Sequence, residues 1–341
     1  GSRSTAVGKG ALNVQNFTTA TNTYNTAVGY GAGTAVTTGE QNTLIGGLAG
    51  EALTVGQNNV AMGVTALRTD VGGSRSVAIG RGALEAQNMG STDTNSHNTA
   101  VGYGAGAAVT TGIENTLIGA AAGDALTVGN NNVAVGYEAL SGDTKGDRNV
   151  AIGRAALQAQ NFTTSTDSYN IGIGYGAGES ITTGFQNTLI GGLAGDALTD
   201  ADYNVAMGAS ALTTDTLGSK STAIGSGALA AQNFTTATDA YNTAVGFYAG
   251  IGITTGRSNT LIGALAGDAL TDADYNVAIG TDALTADTLG SNSVAVGVGA
   301  LYTQNFTTAT DAYNVAVGRS AGLSVTTGVQ NTFLGALAGD A

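Results

Sequence analysis

Apolar and polar positions alternate along this chain in short bursts, and the bursts recur. A nine-residue core carries the pattern: Asn or Ser, then Thr or Val, a small or apolar residue, an apolar residue, Gly, two variable residues, usually Ala, and usually Gly or Leu. NTAVGYGAG at 25–33, NTLIGGLAG at 42–50, NVAMGVTAL at 59–67 and SVAIGRGAL at 76–84 are four successive copies. Nineteen copies run through the 341 residues, mostly 17 apart, with one longer step of 21 or 22 for every three short ones. The resulting super-repeat of about 72 residues is marked by ALNVQNF at 11–17, which returns as ALEAQNM (83–89), ALQAQNF (156–162), ALAAQNF (228–234) and ALYTQNF (300–306). Self-similarity at a fixed period signals a solenoid. The opening GSRS matches Gly73-Ser74-Arg75-Ser76 and so belongs to the pattern. The expectation is one repeat domain over 1–341, a segment of a longer fibrous protein, because solenoids need distinct end caps.

A 17-residue unit is too short for a helix pair. TAVG and TLIG are β-prone and bounded by Asn and Gly, as strands are. A second short strand is expected at AVTTG (35–39) and ALTVG (52–56). Gly29, Gly46, Gly63 and Gly191 stand where the chain must turn out of the first strand, a corner that glycine permits. The predicted fold is therefore all-β, a parallel β-solenoid of 17- and 21-residue coils. A hexapeptide β-helix is excluded, because an aliphatic every six positions from Val28 would fall on Thr34 and Glu40.

The coil has a thin core. Between 25 and 41 only Val28 and Val36 are large aliphatics. Burying one Val gains about 1.5–3 kcal/mol, while ordering each residue costs about 1–2 kcal/mol. Both faces of the first strand are small or apolar, Thr26 and Val28 on one, Ala27 and Gly29 on the other. One face should fill the roll and the other should meet another chain.

Composition narrows the function. Gly occurs 55 times, while Pro, Cys and Trp are absent. Collagen is excluded by the missing proline and the missing three-residue period. Without Cys there are no disulfides, thiolate metal sites or thiol nucleophiles. A single His, His97, excludes a histidine metal cage and argues against a Ser-His-Asp triad. The net charge of −13 opposes nucleic-acid binding. No apolar run approaches the ~18 residues of a membrane helix, so this segment is not expected to insert into a membrane.

Stacked cores such as SVAIG (76–80) resemble the head repeats of YadA-type trimeric adhesins, and TTGEQNTLIGGLAG (37–50) is similar to repeat regions of phage tail fibres. The resemblance covers the whole chain, although these coils are longer than the usual adhesin repeat. It implies a left-handed β-roll, a homotrimer, and a place outside the cell, at a cell surface or on a virion. The expected function is a non-enzymatic fibre segment, shaft or head, supporting attachment to a surface receptor or polysaccharide. Two alternatives are a polysaccharide depolymerase on a β-solenoid, opposed by the single His and missing Trp, and an ice- or mineral-binding repeat, opposed by the interrupted Thr array.

Several residues are candidates for contact. The long coils carry an aromatic or Met early and Tyr or His late; Phe17, Tyr24, His97, Phe162, Tyr169, Phe234, Tyr241, Phe306 and Tyr313 could stack on sugar rings or fold back as lids. Arg75, Arg81, Arg148, Arg154 and Lys220 recur as basic bands beside the same coil of successive units. They would meet anionic polysaccharide, or balance local acids such as Asp70 with Arg75 and Asp143 with Arg148. Asp200, Asp202, Asp272 and Asp274 alternate as oxygen ligands do in Ca²⁺ loops, without the Gly and Glu of an EF-hand. They make a weakly held Ca²⁺ the only cofactor considered, with solvated turns as the plainer reading. The Asn that opens most cores, such as Asn25, Asn42 and Asn59, recurs in register and suits a stacked hydrogen-bonded ladder.

Overall fold

Each core yields one strand of three residues, ended by its Gly. The computed structural model describes residues 1–341 and contains no helix. The strands include Thr26–Val28, Thr43–Ile45, Val60–Met62 and Val77–Ile79, and there are nineteen of them, one per core. The chain forms two compact units, Gly1–Tyr169 with nine of these strands and Asn170–Ala341 with ten. Within each unit successive strands pair in parallel and in exact core register, Thr26↔Thr43, Ala27↔Leu44 and Val28↔Ile45 in the first, Val205↔Thr222, Ala206↔Ala223 and Met207↔Ile224 in the second. The protein is thus a parallel β-solenoid of coils about 17 residues long.

The register fixes which face is inside. The middle residue of each triplet points inward, and Ala27, Leu44, Ala61 and Ala78 are fully buried. Val36 is also buried, but Val28 is 36% exposed, so it does not belong to the core as its size suggested. In the coils from Asn42, Asn59 and Ser76 the interior is filled by compensation between two positions. Where the strand supplies Leu44, the corner supplies Gly50; a Cβ on Gly50 would lie 2.8 Å from Leu44 Cδ2. Where the strand supplies only Ala61 or Ala78, the corner supplies Leu67 or Leu84, both fully buried. These leucines hold φ of 52° and 49°, a left-handed conformation that costs a non-Gly residue roughly 1–2 kcal/mol. Burying a leucine gains about 1.5–3 kcal/mol, which offsets that cost.

The expected second strand at 35–39 and 52–56 does not form. The N–H groups of Thr37, Thr38 and Gly39 all donate to the Thr54 carbonyl, at 3.0, 3.3 and 3.0 Å. Three consecutive donors converging on one acceptor bend the chain instead of extending it. A second ladder occurs only at the long coils, as Gly73–Ser74 with Thr94–Asn95, Gly146–Asp147 with Thr166–Asp167, Gly218–Ser219 with Thr238–Asp239 and Gly290–Ser291 with Thr310–Asp311. The extra residues of the long coils, such as 163–165 and 235–237, make exposed turns.

The asparagine column is buried and shared between side chain and backbone. Asn25 Nδ2 donates to the Gly39 carbonyl at 2.7 Å, and its Oδ1 accepts from the Asn42 N–H at 2.9 Å. Asn42 repeats both bonds with Gly56 and the Asn59 N–H. Each amide therefore closes its own coil and caps the next, leaving no buried side-chain N or O atom unpaired anywhere in the chain. Gly29, Gly46, Gly63 and Gly191 hold φ of 140°, 136°, 142° and 136° at the strand ends.

Candidate functional site

The long coils bring together residues that are far apart in sequence. Lys220 sits one coil before Asp239 and Tyr241; its Nζ donates to Asp239 Oδ2 at 2.5 Å and lies 5.4 Å from the Tyr241 ring centroid. Arg148 repeats the arrangement, ion-paired with Asp167 and 5.6 Å over Tyr169. Arg3 lies 5.5 Å over Tyr24. A cation over a tyrosine face is attracted by the ring quadrupole. Arg3, Arg148 and Lys220 thus clamp the long coils. The basic bands do not pair Asp70 with Arg75 or Asp143 with Arg148, because those aspartates point inward and are fully buried.

Inside the coil the buried aspartate meets a residue the sequence analysis passed over. Asp70 Oδ2 accepts from Gln87 Nε2 at 2.6 Å, and Oδ1 accepts from the Gly73 and Met89 N–H groups at 2.9 and 3.2 Å. Gln87 Oε1 in turn accepts from Asn98 Nδ2 at 2.9 Å. Asp70 and Gln87 occupy the positions that Val36 and Leu53 fill two coils earlier. Their polar stack anchors the start of the long coil. The invariant Gln of the five ALxxQN segments was the available signal.

The candidate aromatics divide into two groups. Phe162, Phe234 and Phe306 are only 5–6% exposed and pack against the backbone, with Phe234 Cδ2 2.8 Å from where a Cβ on Gly218 would lie. These rings are lids, so the ligand contact considered for them falls away; Phe17 is half-buried. Tyr24, Tyr169, Tyr241 and Tyr313 are 47–54% exposed, and His97 is exposed in the same place. Arg75, Arg81, Arg148, Arg154 and Lys220 are all exposed. Arg154 lies 5.9 Å over Tyr137 and Arg81 5.7 Å over Tyr103.

The four candidate Ca²⁺ ligands reach back onto the preceding coil. Asp200 Oδ1 accepts from Thr183 Oγ1 at 2.7 Å and Asp202 Oδ1 from the Phe185 N–H at 3.0 Å. Asp272 and Asp274 make the same bonds to Thr255 and the Arg257 N–H. No three His, Cys, Asp or Glu side chains are grouped to share one ion. Asp200, Asp202, Asp239, Tyr241 and Arg257 instead line an open cleft of about 730 Å³ beside the long coil. Desolvation, with the Asp200 charge adding to it, holds the Asp202 carboxyl above its ordinary value.

A third feature is the outward face of the main sheet. Val28, Met62, Ile79, Ile118 and Ile152 are each 36–39% exposed in one column of the first unit, and Met207 and Ile262 repeat the exposure in the second. No protein family and no curated protein matches this chain. No helix is long and apolar enough to cross a membrane.

Proposed function

We propose that the chain is a structural, non-enzymatic fibre segment that associates with copies of itself as a homotrimer and supports attachment to a surface receptor or polysaccharide. The observation that carries this reading is the outward aliphatic column of the main sheet. All-parallel sheets are normally covered on both faces. Here one face packs on the coil interior and the other presents a row of Val, Ile and Met that stay partly exposed. Residues in register along the column of each unit suit a second copy bearing the same column. The resemblance to trimeric adhesin heads and tail-fibre repeats supports three copies and a location at a cell surface or on a virion. The long-coil cations and tyrosines, held by one another at the surface, suit contact with saccharide.

Light scattering on the purified chain tests the reading. The expected mass is three times 33.2 kDa. Asp placed at Ile118 and Ile262 together should lower the mass toward one copy, because a carboxylate buried in an apolar interface lacks a partner. A folded, monodisperse monomer of the unaltered chain would overturn the reading.

A further inference from the structure

The first unit carries two surface recesses at equivalent places in successive super-repeats. One, of about 470 Å³, is lined by Arg81, Gly82, Glu85, Tyr103, Gly104 and Asp124 among others. The other, of about 190 Å³, is lined by Lys9, Gly10, Tyr30, Gly31 and Glu51 among others. Position by position a cation, a glycine, a tyrosine, a second glycine and an acid recur in the same coils. The smaller volume has a cause: Leu48 and Thr34 stand where the larger recess has Ala121 and Ala107.

The floor of the larger recess is bare backbone, and a Cβ on Gly104 would meet nothing within 4 Å. Its wall is the ring of Tyr103, 63% exposed. Arg81 is held against that wall, Nη1 3.5 Å from the Tyr103 hydroxyl, and makes none of the chain's ion pairs. The neighbouring guanidinium of Arg68 is already committed, 2.9 Å from Glu51 and 3.8 Å from Glu85. Glu85 and Asp124 add carboxylate acceptors on the far side. Burial, with the charge of Glu138 contributing, holds Asp124 above the ordinary carboxylate value.

A phosphate or other compact anion would lie beside the carboxylates of Glu85 and Asp124, with Arg81 the one guanidinium of the lining not already paired with an acid. A ligand with one carboxylate, several hydroxyls and a flat apolar face offers a partner to each of Arg81, Tyr103, Glu85 and Asp124. We infer that the Arg81–Tyr103 recess, and the Lys9–Tyr30 recess equivalent to it, are subsites for a carboxylated sugar of an acidic polysaccharide. The carboxylate pairs with Arg81, the pyranose face stacks on Tyr103, and ring hydroxyls donate to Glu85 and Asp124. Two equivalent subsites on one chain engage neighbouring stretches of the same polymer and raise its avidity. The inference rests on reading the chain as an attachment segment and names the class of surface it attaches to.

The chain also shows how such a recess closes. Tyr248 occupies the position of Gly104 in a later super-repeat, at φ 56° against 64° for Gly104. Its ring covers Gly227, the counterpart of Gly82, and stacks on Phe247 with centroids 3.9 Å apart. The backbone therefore accepts Tyr at this position.

Calorimetric titration of the 341-residue chain with tetragalacturonate, and with neutral maltotetraose as control, tests the inference, with the mass of the protein measured in the same buffer. The uronate should bind and the neutral tetramer should not. Arg81→Gln should weaken the affected subsite by about tenfold or more, as loss of a charge-assisted pair does. Gly104→Tyr should remove one site per chain, with a single cooperative melt lowered only by the cost of a side chain in the left-handed region. Absence of saturable uronate binding, or uronate binding that both variants leave unchanged, would overturn the inference. So would equal binding of the neutral tetramer. A trimer that does not bind uronate keeps the fibre reading and discards the subsites; a monomer that binds uronate does the reverse.

Discussion

Gln232 Nε2 donates to Asp215 Oδ2 at 2.5 Å between adjacent coils, both residues fully buried where other coils stack two aliphatics. Asp215 Oδ1 also accepts from the Gly218 and Phe234 N–H groups, each at 3.0 Å, and Gln232 Oε1 accepts from Asn242 Nδ2 at 2.9 Å. One carboxylate thus fixes both the approach to the long coil and the Phe234 lid. Asp215→Ala should leave two buried backbone donors without acceptors, each costing about 1–3 kcal/mol. The melting temperature should fall, and amide exchange should accelerate first at 234–240. Unchanged exchange there would show that the aspartate does not anchor the turn.

Gly191 and Gly192 test the corner. At Gly191 φ is +136° and an added Cβ would sit 2.5 Å from the Gly208 carbonyl oxygen. Gly191→Val should cost roughly 1–3 kcal/mol per chain through backbone strain. At Gly192 nothing lies within 4 Å of an added Cβ, so Gly192→Ala should stay within about ±0.5 kcal/mol. Thermal denaturation of the two variants side by side checks the contrast; equal tolerance would contradict the geometry.

The clamp on the long coil should depend on pH at both extremes. The hydrogen bond from Lys220 holds Asp239 below its ordinary 3.8, and that same bond holds Lys220 above its ordinary 10.5. A depressed carboxyl contributes above its unfolded value and loses that contribution as pH falls through the folded one. A raised amine contributes below its unfolded value and loses it as pH rises through the folded one. The clamp is therefore intact between about pH 4 and 10. NMR chemical shifts of the Asp239 and Lys220 side chains should stay constant across that window, with Asp239 moving in acid and Lys220 in base. Solvent exposure and salt should keep the effect on global stability small.

Asp202 works in the opposite direction. Its carboxyl is raised mainly by desolvation, so its charged form is disfavoured in the folded chain. Asp202→Asn should raise the melting temperature at neutral pH, and the gain should shrink as pH falls toward 3.8 and below. The chain contains the replacement already: Asn130 stands at the equivalent position and its Oδ1 accepts from the Ile113 N–H at 2.9 Å, as Asp202 does from Phe185. A melting temperature lowered by Asp202→Asn would contradict this.

The strand positions were legible in the sequence because Asn or Ser before and Gly after bracket every triplet in fixed register. The choice of inner face was not, since TAV and VAI are apolar or small on both sides and alternation alone names no inside. The role of Asp70 was hidden for a different reason. Arg75 is five residues away along the chain, whereas the true partner, Gln87, is seventeen away and directly above in the stack. Aligning the chain on its own period would have placed the two together. The clamp has the same origin: Lys220 and Asp239 lie nineteen residues apart and face each other only once the coils are wound. The bend at 37–39 had no signal, because Thr-Thr-Gly reads as extended until three amides share one carbonyl.

The coil from Ser76 has one residue more than the other long coils, yet the chain re-enters its frame at once. Gly73 still pairs with Thr94 and Ser74 with Asn95, and Asn98 Nδ2 still donates to the Gly112 carbonyl at 2.7 Å. The surplus is taken up near Gly90, which has φ 80° and open space around it. Elsewhere in the coil a single added residue would turn every following side chain to the wrong face. The long-coil turn is therefore a port where sequence of varying length can be spliced without rewriting what comes after it. A foreign epitope grafted between Met89 and Asp93 would be displayed on a scaffold that does not register its presence, and its counterparts in the other long coils would let the same chain carry it again at regular intervals.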